Sequence, residues 1–346
     1  MQKKEFLFGK TIHELQDLVV RLKLPTFTAK QISAWLYKHH IASIDEMTNL
    51  SLKNRELLKE QFELGNVPPH SVQVSTDGTK KYLFETNDGK YVESAYIPET
   101  DRATLCVSTQ VGCKMRCLFC LTGKQGFQSQ LTAGEIVNQI HSLPEFDKLT
   151  NIVYMGMGEP FDNIEEVLKS LEIITSDYGY AWSPRRITVS SIGIIPGLTE
   201  FLNRSKCHLA ISLHSPFDNE RFSLMPVQHV YPIQDVLSII RNFDFGLQRR
   251  VSFEYIMFQN INDTPNHSKE LVHILRGIHC RINLIRFHRI PGTLLEGSTE
   301  TTIKSFQETL TQQGITTTIR ASRGQDISAA CGMLSTKMLI KNKQTD

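Results

Sequence analysis

Apolar positions in the first sixty residues recur at helical spacing. Ile12, Leu15, Leu18, Val19 and Leu22 fall on one face, and Pro25 stops the run. "TAKQISAWLYKHH" begins at Thr28, a residue suited to a helix cap, and "SLKNRELLKEQF" gives a third amphipathic segment. Together they predict a small helical module. The pattern then changes in "NVPPHSVQVSTDGTKKYLFETNDGKYVESAYIP", where Asp-Gly pairs at 77 and 88 separate runs rich in Val, Tyr and Phe, as antiparallel hairpins require. From residue 104 onward, β-rich runs recur: "TLCVSTQ", "NIVYMGMG", "RRITVSS", "HLAISLH", "VSFEYIMF" and "RINLIRFH". Helical patterns or loops separate them, and Thr132-x-x-Glu135 marks one helix start as a capping box. Six strands alternating with helices imply parallel βα units, in an open sheet or an incomplete (β/α) barrel. A last helix, "TIKSFQETLTQQG", leads into "TTTIRAS" and a tail. The expected divisions are 1–66 (helical), 67–103 (hairpin), 104–320 (βα) and 321–346 (tail).

Composition adds limits rather than an identity. With 346 residues, 40% hydrophobic and 21% charged, the chain buries a substantial core. No apolar run approaches the roughly 18 residues of a spanning helix, and "MQKKEFLFGK" lacks the apolar centre of a secretion signal, so a cytoplasmic protein without a membrane partner is expected. Net charge is only +2, so a nucleic-acid partner has to be met by local segregation of charge. Arg320, Arg323, Lys337, Lys341 and Lys343 against the single Asp326 give the tail such a bias; Lys30, Lys38, Arg249 and Arg250 are further candidates for phosphate contact.

Seven cysteines in a chain of this length argue against a disulfide framework and for metal or redox chemistry. Three of them, Cys113, Cys117 and Cys120, lie within "GCKMRCLFCLTG". A structural zinc site wants four ligands, commonly as two separated pairs. Three thiolates on one loop suit instead a 4Fe–4S cube with one iron left open to substrate. The strand ends supply the other candidates. "GMGEP" puts Gly158 and Glu159 where backbone approaches a ligand closely and a carboxylate meets an ammonium group; Ser190, Ser212, Leu213, His214 and His288 end later strands. In parallel βα units such ends face one mouth.

The Cys-x3-Cys-x2-Cys loop resembles that of the radical S-adenosylmethionine (SAM) superfamily. "CVSTQVGC", "GMGEP", "SSIGIIPG", "SLHSP", "RINLI" and "RASRGQDISAACGML", in this order, resemble the RlmN/Cfr family of radical SAM RNA methyltransferases over residues 90 to 335. The resemblance implies an incomplete (β/α)6 radical SAM barrel with a small helical N-terminal accessory domain and a β-hairpin extension. It implies that Cys113, Cys117 and Cys120 hold the 4Fe–4S cluster, and that two SAM molecules are consumed per turnover. Gly158, Glu159, Ser190, Ser212, Leu213, His214 and His288 are then the SAM contacts, His288 standing where the family often has Asn. By the same resemblance Cys331 carries the methyl group, Cys106 resolves a covalent RNA adduct by forming a disulfide, and Glu93 accepts the C2 proton. Cys207 and Cys280 match no family position and read as structural.

Adenine C2 lies between two ring nitrogens and is too electron-poor to attack a sulfonium methyl, which is why such a family needs a radical route. Within the family, "GMGEP" followed by "FDN" resembles the branch methylating adenine C2 of 23S rRNA and tRNA. "SLHSPFDNERFSLMP" carries some flavour of the C8 branch, the antibiotic-resistance activity. The implied partners are 23S rRNA at its peptidyl-transferase centre, the tRNA adenosine next to the anticodon, an electron donor such as flavodoxin or ferredoxin, and a cytosolic disulfide reductant. The chain is expected to work as a monomer. The alternatives are a radical SAM enzyme acting on a protein or small molecule, and a cluster-bearing, non-catalytic rRNA assembly chaperone.

Overall fold

The N-terminal periodicity becomes helix α1 (Ile12–Arg21) in the computed structural model of the chain, which describes residues 4–39, 41–246 and 249–336. The helix opens on a reciprocal cap: Thr11 accepts from the Glu14 amide, and the Glu14 carboxylate accepts from the Thr11 amide. Helix α2 (Thr28–Lys38) differs from the expectation at its start. Thr28 is its first residue, not its cap, and is buried; carbonyls of Pro25, Thr26 and Phe27 take the first amides. Helix α3 (Leu52–Gln61) starts from a Ser51 cap. A short parallel pair, Glu5–Phe6 with Phe62–Glu63, ties the ends of this module together.

Strands β1 (Ser71–Val74), β2 (Lys80–Glu85), β3 (Tyr91–Pro98) and β4 (Ala103–Cys106) form an antiparallel meander. Both expected Asp-Gly turns are present, with Gly78 and Gly89 at φ 84° and 72°. From β4 the pairing becomes parallel through β5 (Asn151–Tyr154), β6 (Ile187–Ser191), β7 (His208–Ser212), β8 (Val251–Met257), β9 (Cys280–Arg286) and β10 (Thr316–Ile319). The ten strands thus stand in chain order in one sheet. The six predicted parallel strands are β4 to β9; "TTTI" adds β10 as a seventh at the edge.

Helices α4 (Leu121–Gln125), α5 (Ala133–His141), α6 (Ile164–Thr175), α7 (Ile195–Arg204), α8 (Asp218–Leu224), α9 (Ile233–Asn242), α10 (Pro265–Ile274) and α11 (Glu300–Gln312) make the crossovers. α5 opens on the predicted Thr132 and Glu135 capping box. The helical module docks on this layer, with Tyr37 packed against Tyr178 and Tyr180 and Lys169 paired to Glu14 at 2.5 Å. One apolar core runs through both. Among the described residues no helix is long and apolar enough to cross a membrane.

The sheet curls without closing, since one cavity is lined from Thr104 on β4 to Thr318 on β10 while the sheet's two edge strands, β1 and β10, do not pair with each other. This is the expected incomplete barrel. The tail spans the opening: the Gly324 amide donates to Asp77, and Asp326 accepts from the Ser75 hydroxyl and the Thr76 amide, at 2.9, 2.5 and 3.1 Å. Burial would raise the Asp77 carboxyl, but bonds from Thr79, Gly324 and Ser75 hold it down to about 2. The tail is therefore locked to the β1–β2 turn by ionised carboxylates at neutral pH.

Candidate active site

The barrel interior holds a cavity lined by both polar and apolar side chains where a packed barrel would be filled. A cavity of about 570 Å³ runs through it, lined by Cys113, Cys117 and Cys120 at one end and by Cys106, Ser190, Glu254 and Cys331 in its middle.

The three-cysteine loop needs a glycine at its root. Gly112 has φ 73°, and a Cβ there would stand 1.7 Å from the Gly126 carbonyl oxygen, inside the narrow hairpin of Gln110–Val111 with Ser129–Gln130. Beyond it the loop is tied on both sides: the Leu118 amide donates to Leu224 on α8, and the Leu121 amide to Gly332 on the tail, at 2.9 and 2.8 Å. Phe119 meets His214 edge-on. Burial pushes the Cys113 thiol up to about 12, and Cys117 is raised as well, by burial and then by the charges of Cys120 and Cys113. Sulfurs that would repel one another as thiolates, at the edge of the apolar core where it meets the cavity, fit a cationic cluster as their partner. Among the described residues no three His, Cys, Asp or Glu converge on a single metal ion. Gly112→Ala is expected to shift this root, costing about 1–3 kcal/mol and lowering bound iron, measured by thermal melting and iron assay.

The strand-end residues meet at the same end. Gly158 (φ 100°) passes so close to Gln110 that a Cβ would lie 2.7 Å from its amide nitrogen. The Glu159 carboxylate accepts from the Phe161 and Ile192 amides, each at 3.0 Å, so it braces two turns rather than standing as a free acid. Burial nevertheless raises it to about 7. Ser190, Ser212, His214 and His288 line the cavity; the Leu213 side chain does not, being buried beneath it. His214 (φ 57°) accepts at Nδ1 from the Ile256 amide, 3.0 Å, and burial drops its basicity to about 3, which leaves Nε2–H as a neutral donor. His288 Nε2 lies 2.8 Å from the Ser322 hydroxyl. Arg221, fully buried, ties these turns together through the Leu213, Ser212 and Ile192 carbonyls.

The tail brings the remaining cysteines together. Ala329 and Ile327 pack on Cys106 with Ala95 and Val153, and exposed Cys331 lies close enough for its charge to add to the burial that pushes Cys106 up to about 12. Arg320 opposes that rise. It is committed to Glu254 at 3.4 Å and to the Met155 sulfur at 3.3 Å, so it is an interior cation and not the free tail charge expected from sequence.

Glu93 stands on β3 two residues from Ala95, which pairs with Cys106 across the ladder, so Glu93 shares that face of the sheet. It does not line the cavity: Lys81 pairs with it at 3.0 Å and the Ser335 amide donates to it at 2.9 Å, closing it off. Burial raises its pKa, with Lys81 pulling the other way. Lys81→Met removes that opposing charge, so Glu93 stays protonated to higher pH. The acid limb of the rate–pH profile should move upward, and rates below it should fall several-fold.

The phosphate candidates scatter. Arg249 is spent on the Cys207 and Leu202 carbonyls and stacked among Phe201, Phe243 and Phe245, a correction to its expected role that follows from its apolar surroundings. Lys30 and Lys38 are exposed on α2; Lys337, Lys341 and Lys343 lie outside the described residues. Cys207 and Cys280 stand apart from the cavity lining. Sequence reasoning missed Lys81, Arg221 and Glu254, and gave Arg320 a different role. Each looks like an ordinary surface charge until the sheet curls around it.

Two family profiles match the chain: "Radical SAM superfamily" over residues 107–271 and "Ribosomal RNA large subunit methyltransferase N-terminal domain" over 6–64. Over 345 residues, all of both chains, it is 57% identical to a "Probable dual-specificity RNA methyltransferase RlmN" of Bacteroides thetaiotaomicron. A "Dual-specificity RNA methyltransferase RlmN" of Syntrophus aciditrophicus is 43% identical over 95% of this chain and 96% of its own. Among solved structures, a radical SAM methyltransferase from Sphaerobacter thermophilus superposes with a TM-score of 0.89 at 38% identity, covering 95% of this chain and 98% of that one.

Proposed function

The chain belongs to the RlmN family of dual-specificity RNA methyltransferases, and from that membership we propose how its own residues carry the reaction. The reaction is methylation of adenine at carbon 2 in rRNA and tRNA by radical SAM chemistry. The proposed targets are the adenosine at the peptidyl-transferase centre of 23S rRNA and the tRNA adenosine next to the anticodon. One observation carries the reading: the tail folds back so that Cys331 and Cys106 share one cavity with the three-cysteine loop.

Cys113, Cys117 and Cys120 would hold the 4Fe–4S cluster, and the Gly158–Glu159 turn, Ser190, Ser212, Leu213, His214 and His288 would bind SAM. When bound, cluster and SAM supply the methyl group and the radical that removes a hydrogen from the S-methyl carbon, two SAM per turnover. The protein does the rest. The Cys331 sulfur displaces the methyl group from SAM and keeps it. Its methylene carbon would become joined to adenine C2; Glu93, once released from Lys81 and the Ser335 amide, takes the C2 proton, and the odd electron left on the adduct returns to the electron-transfer site that supplied it, leaving a closed-shell thioether. The Cys106 sulfur then attacks the Cys331 sulfur; the S–S bond forms, the S–C bond breaks, and the carbon takes a proton to become the methyl group. Reduction of that disulfide resets the enzyme, by a reductant of the cytosolic thiol class; electrons arrive from a flavodoxin- or ferredoxin-like donor. Residues 1–66 serve as the RNA-contacting accessory unit, 67–103 as the hairpin that presents Glu93, 104–320 as the barrel and 321–346 as the carrier tail.

Nucleoside digests of RNA treated with the enzyme, compared by mass spectrometry with 2-methyl and 8-methyl adenosine standards, test the regiochemistry. The 2-methyl isomer is expected; the 8-methyl isomer would overturn the C2 assignment.

A further inference from the structure

The three-cysteine site has a thin outer wall. Cys113 and Cys117 are buried and Cys120 is half-buried, while Lys114, Arg116 and Leu118 between them are exposed. Residues that face outward thus alternate with those that would hold the cluster, and one thickness of loop covers the site. Neighbouring elements widen this wall. Lys114 Nζ stands 5.3 Å from the centre of the exposed Phe127 ring, and the bond from the Leu118 amide to Leu224 sets the loop against the end of α8, where Phe222 is 50% exposed. Lys124 on α4 donates to the Pro291 and Gly292 carbonyls, at 2.9 and 2.8 Å, and so fastens beside it the loop that carries Leu294, 95% exposed.

Charge on this wall is one-sided. No acidic residue occurs between Asp101 and Glu135, a stretch that contains Lys114, Arg116 and Lys124, on a molecule whose whole net charge is +2. Lys114 is paired with Asp162 at 2.8 Å, but Arg116 has neither an ion pair nor a hydrogen bond among the described residues. Leucine and phenylalanine side chains that protrude among cations suit a protein partner better than a phosphate backbone, because they gain only where another apolar surface covers them. The chemistry of the site says which protein. Electron transfer weakens steeply with distance, and at this wall a carrier comes within a single loop of the three sulfurs. We propose that the wall is the docking surface of the electron donor, a small acidic one-electron carrier protein of the flavodoxin class, whose carboxylates face Lys114, Arg116 and Lys124 and whose apolar surface lies on Leu118, Phe222 and Leu294. One electron leaves the reduced carrier and enters the cluster; no bond forms or breaks. Such encounters are small and weak, so steering by charge governs how often they succeed.

This inference rests on the radical methyltransferase reading, and the test separates the two. Binding of a bacterial flavodoxin to cluster-loaded enzyme is measured by biolayer interferometry over a series of salt concentrations. Methylation of an RNA hairpin with a loop adenosine is then driven either by that flavodoxin as its hydroquinone, below saturation, or by dithionite. Arg116 has φ 55°, a backbone that asparagine tolerates, so the first variant is Arg116→Asn/Phe222→Ser. It should bind flavodoxin about tenfold more weakly, with a shallower salt dependence, and lose a similar factor in flavodoxin-driven rate. Its dithionite-driven rate and iron content should match wild type. Phe222→Ser/Leu294→Ser leaves the cysteine loop untouched and should lose carrier affinity several-fold with the salt dependence unchanged. Arg204→Gln, on α7 and paired with Glu165, should change nothing. Full carrier affinity in both double variants, an equal loss under dithionite in the variant with the intact loop, or an equal loss in the Arg204 variant would overturn the wall as the docking surface. So would a fall in RNA affinity with carrier affinity intact, which assigns the surface to RNA. Absence of methylated product from wild type under dithionite counts against the methyltransferase reading, while the binding data still judge the wall.

Discussion

Cys106→Ala is expected to leave the protein covalently attached to RNA through Cys331. Cys106 sits among Ala95, Val153 and Ala329, so an alanine keeps the packing and removes little more than the sulfur, at a cost of about 1 kcal/mol. Every step before release uses other groups, so the adduct should still form. Release needs a thiol at that spot, and Cys207 and Cys280 are both away from the cavity. Product release should drop roughly a hundredfold or more, and a ribonuclease-sensitive band of protein joined to RNA should appear on denaturing gels. Methylated RNA released at the normal rate would remove Cys106 from the resolving role.

Cys331→Ser should abolish product altogether, a fall of roughly a thousandfold or more, because a serine hydroxyl at neutral pH is a far weaker nucleophile toward a sulfonium methyl than a thiolate. Cys331 is exposed and its neighbour Gly332 carries the tail's bond to the Leu121 amide, so the substitution leaves that anchor in place. Iron content and RNA affinity should match wild type. The contrast between the two variants is diagnostic: serine at 331 yields neither adduct nor product, while alanine at 106 yields adduct without turnover. Adduct formation with serine at 331 would show that another side chain carries the carbon.

Much of this site is legible in the chain because its chemistry is local in sequence. The cysteine loop spans eight residues, the "GMGEP" and "SLH" turns follow strands with clear apolar runs, and the Asp-Gly turns announce their hairpins. What could not be read depends on curvature. Arg320 looks like a tail charge until β10 carries it under Glu254, and Arg221 looks like a solvated helix residue until α8 folds it beneath the Leu213 and Ile192 carbonyls. Lys81 and Glu93 lie twelve residues apart on neighbouring strands, and only the β2–β3 register makes them partners. Thr28 shows the opposite error: a good cap residue was buried because backbone carbonyls had already taken the helix amides.

The central claim is that Cys331 carries the methyl group in transit. Protein made with SAM available and purified with its cluster intact can be digested, and the peptide containing Cys331 weighed. The account predicts one added methyl group on Cys331 and none on Cys106, Cys207 or Cys280; a cluster-loaded preparation in which Cys331 stays an unmodified thiol would contradict it.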